Sequence, residues 1–276
     1  MGSSTLQNYQ YLQSPVFFYS RVRNLGQRMS NPTHLYRYQS LTAHSLASLL
    51  NDTVWLSNPT TFNDPFDCAI TLSRDKLKES LDHAIAEIAS RNNIPKELIA
   101  NHDKVTNQDE QAYDLLRTSL KNIMQKIGVL CFSATPYEIL MWSHYANNHK
   151  GFCVEYDFSE GSHLRKIAQP VCYSENIPAL SLANLPKGAE NNFLDVCVFT
   201  KAKQWQYEQE WRVIMPEGGR PFQAPAKTTS IILGARMPIE EKTMIFRALR
   251  HKEGIDFREA RLLEDRFAIQ FNAFTI

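Results

Sequence analysis

The chain has 276 residues, and 30 Lys and Arg balance 29 Asp and Glu to give a formal net charge of +1. That balance excludes a bulk basic field for nucleic acid, although it leaves room for a local basic patch. Hydrophobic residues make up 43% of the chain and aromatic residues 11%, which excludes a disordered or low-complexity protein. No apolar run reaches the roughly 18–20 residues of a membrane helix, and the first residues lack the features of a signal peptide. We therefore expect a cytoplasmic protein with no membrane partner.

The cysteines do not form a metal or redox motif. They number five, an odd count, and no CxxC spacing occurs among them, so the usual zinc-knuckle and thioredoxin-type signatures are excluded. Four of the five stand in apolar surroundings. We expect them to be small buried side chains with free thiols.

The first half of the chain begins with a polar arm, residues 1–31. The aromatic segment 34–38 predicts a strand, the leucine spacing from residue 40 to 50 a helix, and residues 54–57 a second strand. A loop over 60–67 follows, in which Asn63-Asp64-Pro65 predicts a tight turn. Residues 74–127 have helical periodicity, and the spacing of Asn107 and Glu110 indicates a capping box at the start of the last helix.

The second half alternates strands with helices. After a strand at 128–132, Thr135-Pro136-Tyr137-Glu138 predicts a helix with Thr135 as its N-cap and an end near Asn148. Further strands are predicted at 152–158, 170–173, 211–215, 230–233, 257–263 and 267–274, helices at 191–203 and 238–251, and a loop at 175–190. The pattern predicts an α+β domain over residues 32–276, with a single mixed β-sheet as its core and a helical insertion at 74–127.

Two segments near the N-terminal strands contain side chains that are unusual for a purely structural role. Arg37 lies within an aromatic strand, where a guanidinium is costly to bury without an anion, so it either faces solvent or binds a ligand phosphate. Phe62 and Phe66 flank the turn at Asn63 and Asp64. These four residues are either an ordinary turn with its neighbours or the aromatic wall of a pocket.

The segment 141–151 combines aromatic and imidazole side chains on one predicted helix. Trp142 and Tyr145 are three residues apart and share a helix face, whereas His144 lies on another. His144 and His149 are five residues apart, a spacing that does not suit two metal ligands on one helix, and no metal site is predicted here.

A paired-carboxylate motif, Glu208-Gln209-Glu210, lies between aromatic residues. On a strand both carboxylates would point to one face, and two like charges on one face destabilise a sheet unless a cation or a reaction uses them. Either the two side chains pair with Lys203 and Arg212 on a solvated strand, or they form a carboxylate pair in a cleft.

Five motifs together resemble a known bacterial family. They are Leu-Tyr-Arg-Tyr, Trp-Leu-Ser-Asn-Pro with Phe-Asn-Asp-Pro-Phe-Asp, Cys-Phe-Ser, Met-Trp-Ser-His-Tyr-Ala with His-Lys-Gly, and Trp-Gln-Tyr-Glu-Gln-Glu-Trp-Arg. In this order, over roughly residues 34 to 250, they resemble the domain-of-unknown-function family DUF2971. The family name implies no activity.

A second resemblance implies one. Arg37, Ser57 and the Glu208–Glu210 pair follow the chain order of the Arg-Ser-Glu class of ADP-ribosyltransferases, to which the chain is similar in this respect. The resemblance implies a split sheet and NAD as substrate. Glu210 would stabilise the oxocarbenium-like state as nicotinamide leaves, and Glu208 would orient or deprotonate the acceptor. Ser57 would orient the nicotinamide ribose and Arg37 would hold phosphate.

The resemblance implies that Tyr38, Phe62 or Phe66 stacks on the nicotinamide ring, but it offers no counterpart for the helix of Trp142, His144 and Tyr145. With the other motif residues included, the candidate NAD-binding residues are Arg37, Tyr38, Phe62, Asn63, Asp64, Phe66, Trp142, His144 and Tyr145. Such an enzyme would be of toxin, effector or phage-defence type. It would act on a protein or nucleic-acid acceptor and have a cognate antitoxin or defence-system partner.

Two other classes stay open at this point. A metal-dependent hydrolase or nuclease would use the acidic residues and one histidine, namely Asp64, Asp67, Glu208, Glu210 and His144. A non-enzymatic sensor or interaction domain would instead present its large aromatic side chains, Trp142, Tyr145, Trp205 and Trp211.

Overall fold

A computed structural model describes residues 32–69, 71–72, 107–180 and 195–276. The predicted arm at 1–31, most of the predicted helical block and the segment 181–194 lie outside the described residues. The helices are α1 (Ala43–Leu50), α2 (Asn107–Lys126), α3 (Ile139–Tyr145), α4 (His163–Ile167) and α5 (Ile239–Leu249). None of the helices described is long and apolar enough to cross a membrane.

The strands are β1 (His34–Gln39), β2 (Thr53–Leu56), β3 (Thr71–Leu72), β4 (Gly128–Ser133), β5 (Phe152–Asp157), β6 (Gln169–Pro170), β7 (Cys172–Ser174), β8 (Ala179–Leu180), β9 (Thr200–Ala202), β10 (Glu210–Met215), β11 (Arg220–Gln223), β12 (Thr228–Leu233), β13 (Asp256–Leu262) and β14 (Ile269–Ala273). Short 3₁₀ helices span Pro59–Thr61 and Lys203–Glu208. All five cysteines are free; Cys68, Cys153 and Cys197 are buried as expected, whereas Cys131 and Cys172 are only partly buried.

One large sheet organises these elements. Its eight strands run in the order β14-β13-β12-β5-β1-β4-β10-β6. The pair β12–β13 is parallel, whereas the other neighbouring pairs are antiparallel. The predicted α+β class with a mixed sheet is therefore confirmed.

The sheet opens between β1 and β4. These strands share a single registered pair, Tyr36 with Ser133, whereas β1 is paired with β5 along its whole length. At the far end of β4, Val129 exchanges two backbone hydrogen bonds with Ser57, at 2.8 and 3.1 Å. Because β10 takes the other edge of β4 throughout, Ser57 occupies the edge that β1 has left. The end of β2 thus enters an opening in the sheet.

The two faces of the sheet carry different contents. On the face that we call the main-core face, Leu35, Val154 and Trp211 pack with residues of α1, α4 and α5. On the opposite face, the α3 face, Tyr38 and Cys153 pack against α3. Strand alternation therefore decides which side chains can meet.

Two helix starts differ from prediction by about three residues. The helix expected from residue 40 begins at Ala43, because Thr42 and Ser45 form a reciprocal capping box. The helix expected to follow Thr135 begins at Ile139 instead, with Glu138 as its N-cap. The Thr135 hydroxyl does accept from the Tyr137 amide at 3.2 Å, as an N-cap would, but the carbonyls of Thr135 and Pro136 are bonded to the Tyr38 hydroxyl and the Trp142 indole instead of to helix amides.

Candidate functional site

Five charged side chains converge beneath the α3 face and form what we call the buried ion cluster: Asp67, Lys201, Glu208, Glu210 and Arg212. Lys201 is central to it. Its Nζ lies 3.3 Å from Asp67 Oδ2, 2.5 Å from Glu208 Oε2 and 3.0 Å from Glu210 Oε2. The cluster is therefore a lysine enclosed by three carboxylates, with an arginine behind it.

Arg212 completes the cluster from β10. Its Nε donates to Glu210 Oε1 and its Nη2 to Glu210 Oε2, both at 2.8 Å, in a bidentate pair. The same Nη2 donates to Asp67 Oδ2 at 2.8 Å, and Nη1 donates to the Val198 carbonyl at 2.6 Å. Arg212 is fully buried, and these bonds satisfy a guanidinium that would otherwise be very costly to desolvate.

Local backbone conformation brings the two glutamates together. Glu208 ends a 3₁₀ helix, Gln209 is left-handed at φ 45°, and Glu210 starts β10. The alternative in which both glutamates lie on a solvated strand is therefore wrong, and the turn at Gln209 directs both carboxylates to the buried Lys201. Their expected partner Lys203 is exposed and pairs with Glu175 at 2.8 Å.

Lys201 reaches the cluster because its segment is a strand. The predicted helix over 191–203 is wrong at its end, since Thr200–Ala202 forms β9 in parallel pairing with β7. The opposite residue on β7 is Tyr173, whose hydroxyl accepts a hydrogen bond from the Glu210 amide at 2.8 Å. Pairing between these short strands thus fixes the lysine against the start of β10.

The two glutamates have opposite pKa shifts. Burial alone would raise the pKa of Glu210, but Arg212 and Lys201 outweigh it and lower that pKa to about 2. Burial raises the pKa of Glu208, and the attraction of Lys201 offsets this only in part, while the charge of Glu210 adds to it. Three carboxylates face two cations, so the cluster carries a formal charge of −1 when all five groups are ionised. Of the two glutamates, Glu208 is therefore the one that more readily takes up a proton.

Aromatic side chains form the rim of the cluster. Trp205 lies over Lys201, with Nζ 5.1 Å from the ring centroid, and its indole Nε1 donates to Asp64 Oδ2 at 2.6 Å. His144 meets Trp205 edge-on at 6.1 Å. On the other side the ring of Phe62 lies 5.4 Å from Arg212 Cζ. The predicted residues Phe62, Asp64 and His144 are thus brought to one place.

Tyr145 joins the cluster to a cavity. Its hydroxyl donates to Glu208 Oε1 at 2.8 Å, and burial together with the charge of Glu208 raises its pKa well above the usual range. The same side chain lines a cavity of about 660 Å³ bounded by residues of β1, α1 and β2. Glu208 itself is only 2% exposed and does not line the cavity, so its contact with the cavity is through the hydrogen-bonded side chain of Tyr145.

Arg37 and Ser57 do not join this site. Arg37 shares the main-core face with Leu35, whereas Glu210 lies on the opposite face from its neighbour Trp211. The Arg37 guanidinium donates to the Trp55 carbonyl at 3.0 Å and forms no ion pair with any described residue. Ser57 bonds to Val129, four residues along β4 from the Ser133 that opposes Glu210.

The remaining predicted residues lie outside the ion cluster. Trp142 is fully buried, with Nε1 donating to the Pro136 carbonyl at 2.8 Å, and it meets Tyr38 edge-on at 5.2 Å. Asn63 is exposed, as is Phe66. The predicted tight turn is present, since the Asp64 side chain accepts from the Phe66 amide at 2.9 Å.

In the ion cluster, Lys201 and Arg212 lie where a metal-dependent hydrolase would hold its metal ion. Within the described residues no group of three or more His, Cys, Asp or Glu side chains is arranged to hold a metal ion. Of the carboxylates that the hydrolase alternative would use as ligands, Asp67, Glu208 and Glu210 are bound to Lys201 or Arg212 instead. Asp64 accepts from the Trp205 indole. The geometry therefore gives that alternative no support.

The sequence pattern did not identify Lys201, the cation at the centre of the ion cluster. Lys201 was not among the candidates, although it is a single charge between Phe199-Thr200 and Ala202, a pattern that indicates a short strand. Asp67 was considered only as a metal ligand and Trp205 only as a recognition surface. Their grouping depends on contacts between residues about 140 apart in sequence, such as Asp64 with Trp205.

Comparison with known proteins identifies one family. Residues 141–213 match DUF2971, a family described as a protein of unknown function. This span is narrower than the expected 34–250, but it contains Tyr145, Lys201, Glu208, Glu210 and Arg212. No curated protein matches the chain, and no solved structure does. The resemblance thus covers most of the ion cluster and says nothing about its chemistry.

Proposed function

We propose that this protein cleaves the nicotinamide–ribose bond of NAD and acts as an ADP-ribosyltransferase. One observation carries the proposal. Two carboxylates with opposite pKa shifts, Glu208 and Glu210, converge on Lys201, and Tyr145 links the first of them to a large cavity. Paired carboxylates whose environments separate their pKa values are the usual means of dividing acid–base work from charge stabilisation.

Glu210 supplies fixed negative charge. Both of its oxygens accept hydrogen bonds from Arg212 or Lys201, so it stays ionised and does not take part in proton transfer. Cleavage of a glycosidic bond builds positive charge on the ribose, and a preorganised anion in a region of low dielectric stabilises that charge. The excess negative charge of the ion cluster has the sign that this reaction requires.

Glu208 and Tyr145 form the proton-transfer pair. In the proposed reaction the C1′–N bond breaks, its electron pair leaves with nicotinamide, and a lone pair of the acceptor forms the new bond to C1′. The acceptor proton passes to the Tyr145 oxygen as the Tyr145 proton passes to Glu208 Oε1, which is 2.8 Å away. The raised pKa of Glu208 suits it to receive that proton.

The proposal extends the expectations raised by the sequence. The acceptor is a protein, a nucleic acid or water, and the cellular role is that of a cytoplasmic toxin, effector or phage-defence enzyme with its cognate partner. The phosphate-binding role expected for Arg37 is left out, because its guanidinium is on the other face of the sheet.

The test is release of nicotinamide from NAD by the purified full chain and by Tyr145→Phe. The substitution removes one hydroxyl and keeps the ring, so the fold is retained while Glu208 loses its link to the cavity. We expect release to fall about 100-fold or more, the usual contribution of a general acid–base group.

Tyr137→Phe is the matched control. Tyr137 precedes the same helix, is exposed, and has no hydrogen bond from its hydroxyl to any described residue. It should leave release unchanged. Equal rates in the wild type and Tyr145→Phe would reject the proposed proton route, and no release by the wild type with water, protein or nucleic-acid acceptors would reject the function.

A further inference from the structure

The cavity next to Tyr145 has a chemistry of its own. It measures about 660 Å³ and is bounded by the end of β1, one face of α1, β2 and Tyr145. Among the described residues that line it, none is Lys, Arg, Asp or Glu. The ion cluster on the other side of Tyr145 consists of charged side chains, whereas the described lining of the cavity has none of these four residue types. This difference indicates that the part of a ligand bound in the cavity is uncharged.

Trp55 gives the cavity a flat apolar wall. The side chain is 45% exposed, a large fraction for a tryptophan on a strand. Its strand is held on both sides, since Trp55 pairs with Pro221 of β11 and its carbonyl accepts from Arg37 Nη2 at 3.0 Å. An exposed indole on a fixed backbone is a platform on which planar rings stack.

Polar groups without partners surround that wall. The side chains of Gln39, Ser48 and Thr53 line the cavity, are half-buried, and form no hydrogen bond with another described residue. Together they offer an amide and two hydroxyls, each able to donate and to accept. Such groups recognise heterocycles that carry both amide-type donors and acceptors.

We infer that this cavity binds an uncharged, planar heterocycle of the nucleobase type, stacked on Trp55 and hydrogen-bonded by the neutral polar side chains of β1, α1 and β2. The size is suitable, because ligand sites commonly enclose about 300–1,000 Å³. Tyr145 borders both the cavity and Glu208. If the proposed function holds, on which this last step rests, the heterocycle is the acceptor base or the departing nicotinamide.

The test is equilibrium binding of adenosine, thymidine and nicotinamide to the full chain in the absence of NAD, with ribose 5-phosphate as a charged comparison. We expect at least one neutral heterocycle to bind and ribose 5-phosphate not to bind. Trp55→Ala should weaken binding at least about tenfold, and Trp55→Phe should retain part of it, because stacking on a base depends on ring area.

Phe267→Ala is the matched control, since Phe267 is an exposed aromatic residue that does not line the cavity. It should bind as the wild type does. Tightest binding of thymidine supports the acceptor role, and tightest binding of nicotinamide supports the leaving-group role. Tightest binding of adenosine supports a base site that takes either an acceptor or the adenine of NAD. Absence of binding by all three heterocycles, or unchanged binding by a folded Trp55→Ala variant, overturns the inference. Because no turnover is measured, failure of the proposed function would leave this result intact.

Discussion

At the scale of single residues, Lys201 decides whether the site can exist. It holds three carboxylates within 3.3 Å, and without it Arg212 alone would balance them. Burial would lower the pKa of this lysine, but the three carboxylates outweigh burial and raise it, so the ammonium stays charged. Removing one member of a buried ionic group is strongly destabilising, because its partners are left uncompensated.

Lys201→Met should therefore lower the free energy of unfolding by about 3–5 kcal/mol. Chemical denaturation followed by circular dichroism at neutral pH measures it. Lys203→Met is the matched control, two residues away in an exposed pair with Glu175, and should produce no measurable change. Similar midpoints for the two variants would show that the ion cluster does not stabilise the fold.

At the scale of elements, α3 is placed by the turn that follows it. Asn147, Asn148 and His149 are all left-handed, with φ of 48°, 55° and 67°. This conformation is costly for side-chain-bearing residues, and neighbouring contacts must hold it. The His149 carbonyl accepts from the Arg236 amide at 2.9 Å and lies against Gly234. The turn orients the helix that carries Trp142 and Tyr145.

Gly234→Ala tests this contact. A Cβ at Gly234 would lie 2.2 Å from the His149 carbonyl oxygen and 2.5 Å from that of Gly151, so backbone must move. We expect a loss of about 1–3 kcal/mol in the free energy of unfolding, as for other overpacked sites. Gly161→Ala, where a Cβ meets nothing within 4 Å, is the control and should be near neutral. If both variants unfold at the same denaturant concentration, the turn at residues 147–149 does not depend on the close approach of Gly234 to the His149 carbonyl.

The start of α3 shows why its sequence signal failed. Thr135-Pro136-Tyr137-Glu138 has the composition of a first helical turn, yet the carbonyls of Thr135 and Pro136 accept from the Tyr38 hydroxyl and the Trp142 indole. These hydrogen bonds keep the two carbonyls from accepting helix amides, and the helix begins only at Ile139. Local propensity could not anticipate partners that are 97 residues away in the case of Tyr38.

At the scale of the whole molecule, local pattern predicted most strand positions, whereas most of the side-chain partners at the site could not be predicted from it. The strands at 34–38, 128–132 and 211–215 match β1, β4 and β10 closely, because short apolar runs and β-favouring composition are local properties of the sequence. Arg37 and Glu210 lie on opposite faces of the sheet because of the order and register of β1, β4 and β10. That order cannot be deduced from the local sequence pattern of any one strand. The cation that binds both glutamates is Lys201, and it lies on β9, a segment that the sequence pattern predicted to be helical.

The central claim is that Glu208 performs proton transfer in NAD cleavage, and Glu208→Gln tests it most directly. The substitution brings the ion cluster to a formal charge of zero, keeps an oxygen that accepts from Lys201 and places the amide NH₂ where it can donate to the Tyr145 oxygen, so the fold should persist. Glu175→Gln, an exposed glutamate in the Lys203 pair, is the control. The measurement is nicotinamide release from NAD by the full chain. We predict release by the wild type and Glu175→Gln, and a rate about 100-fold or more lower for a folded Glu208→Gln. Equal release by all three proteins, or none by the wild type, would contradict the account.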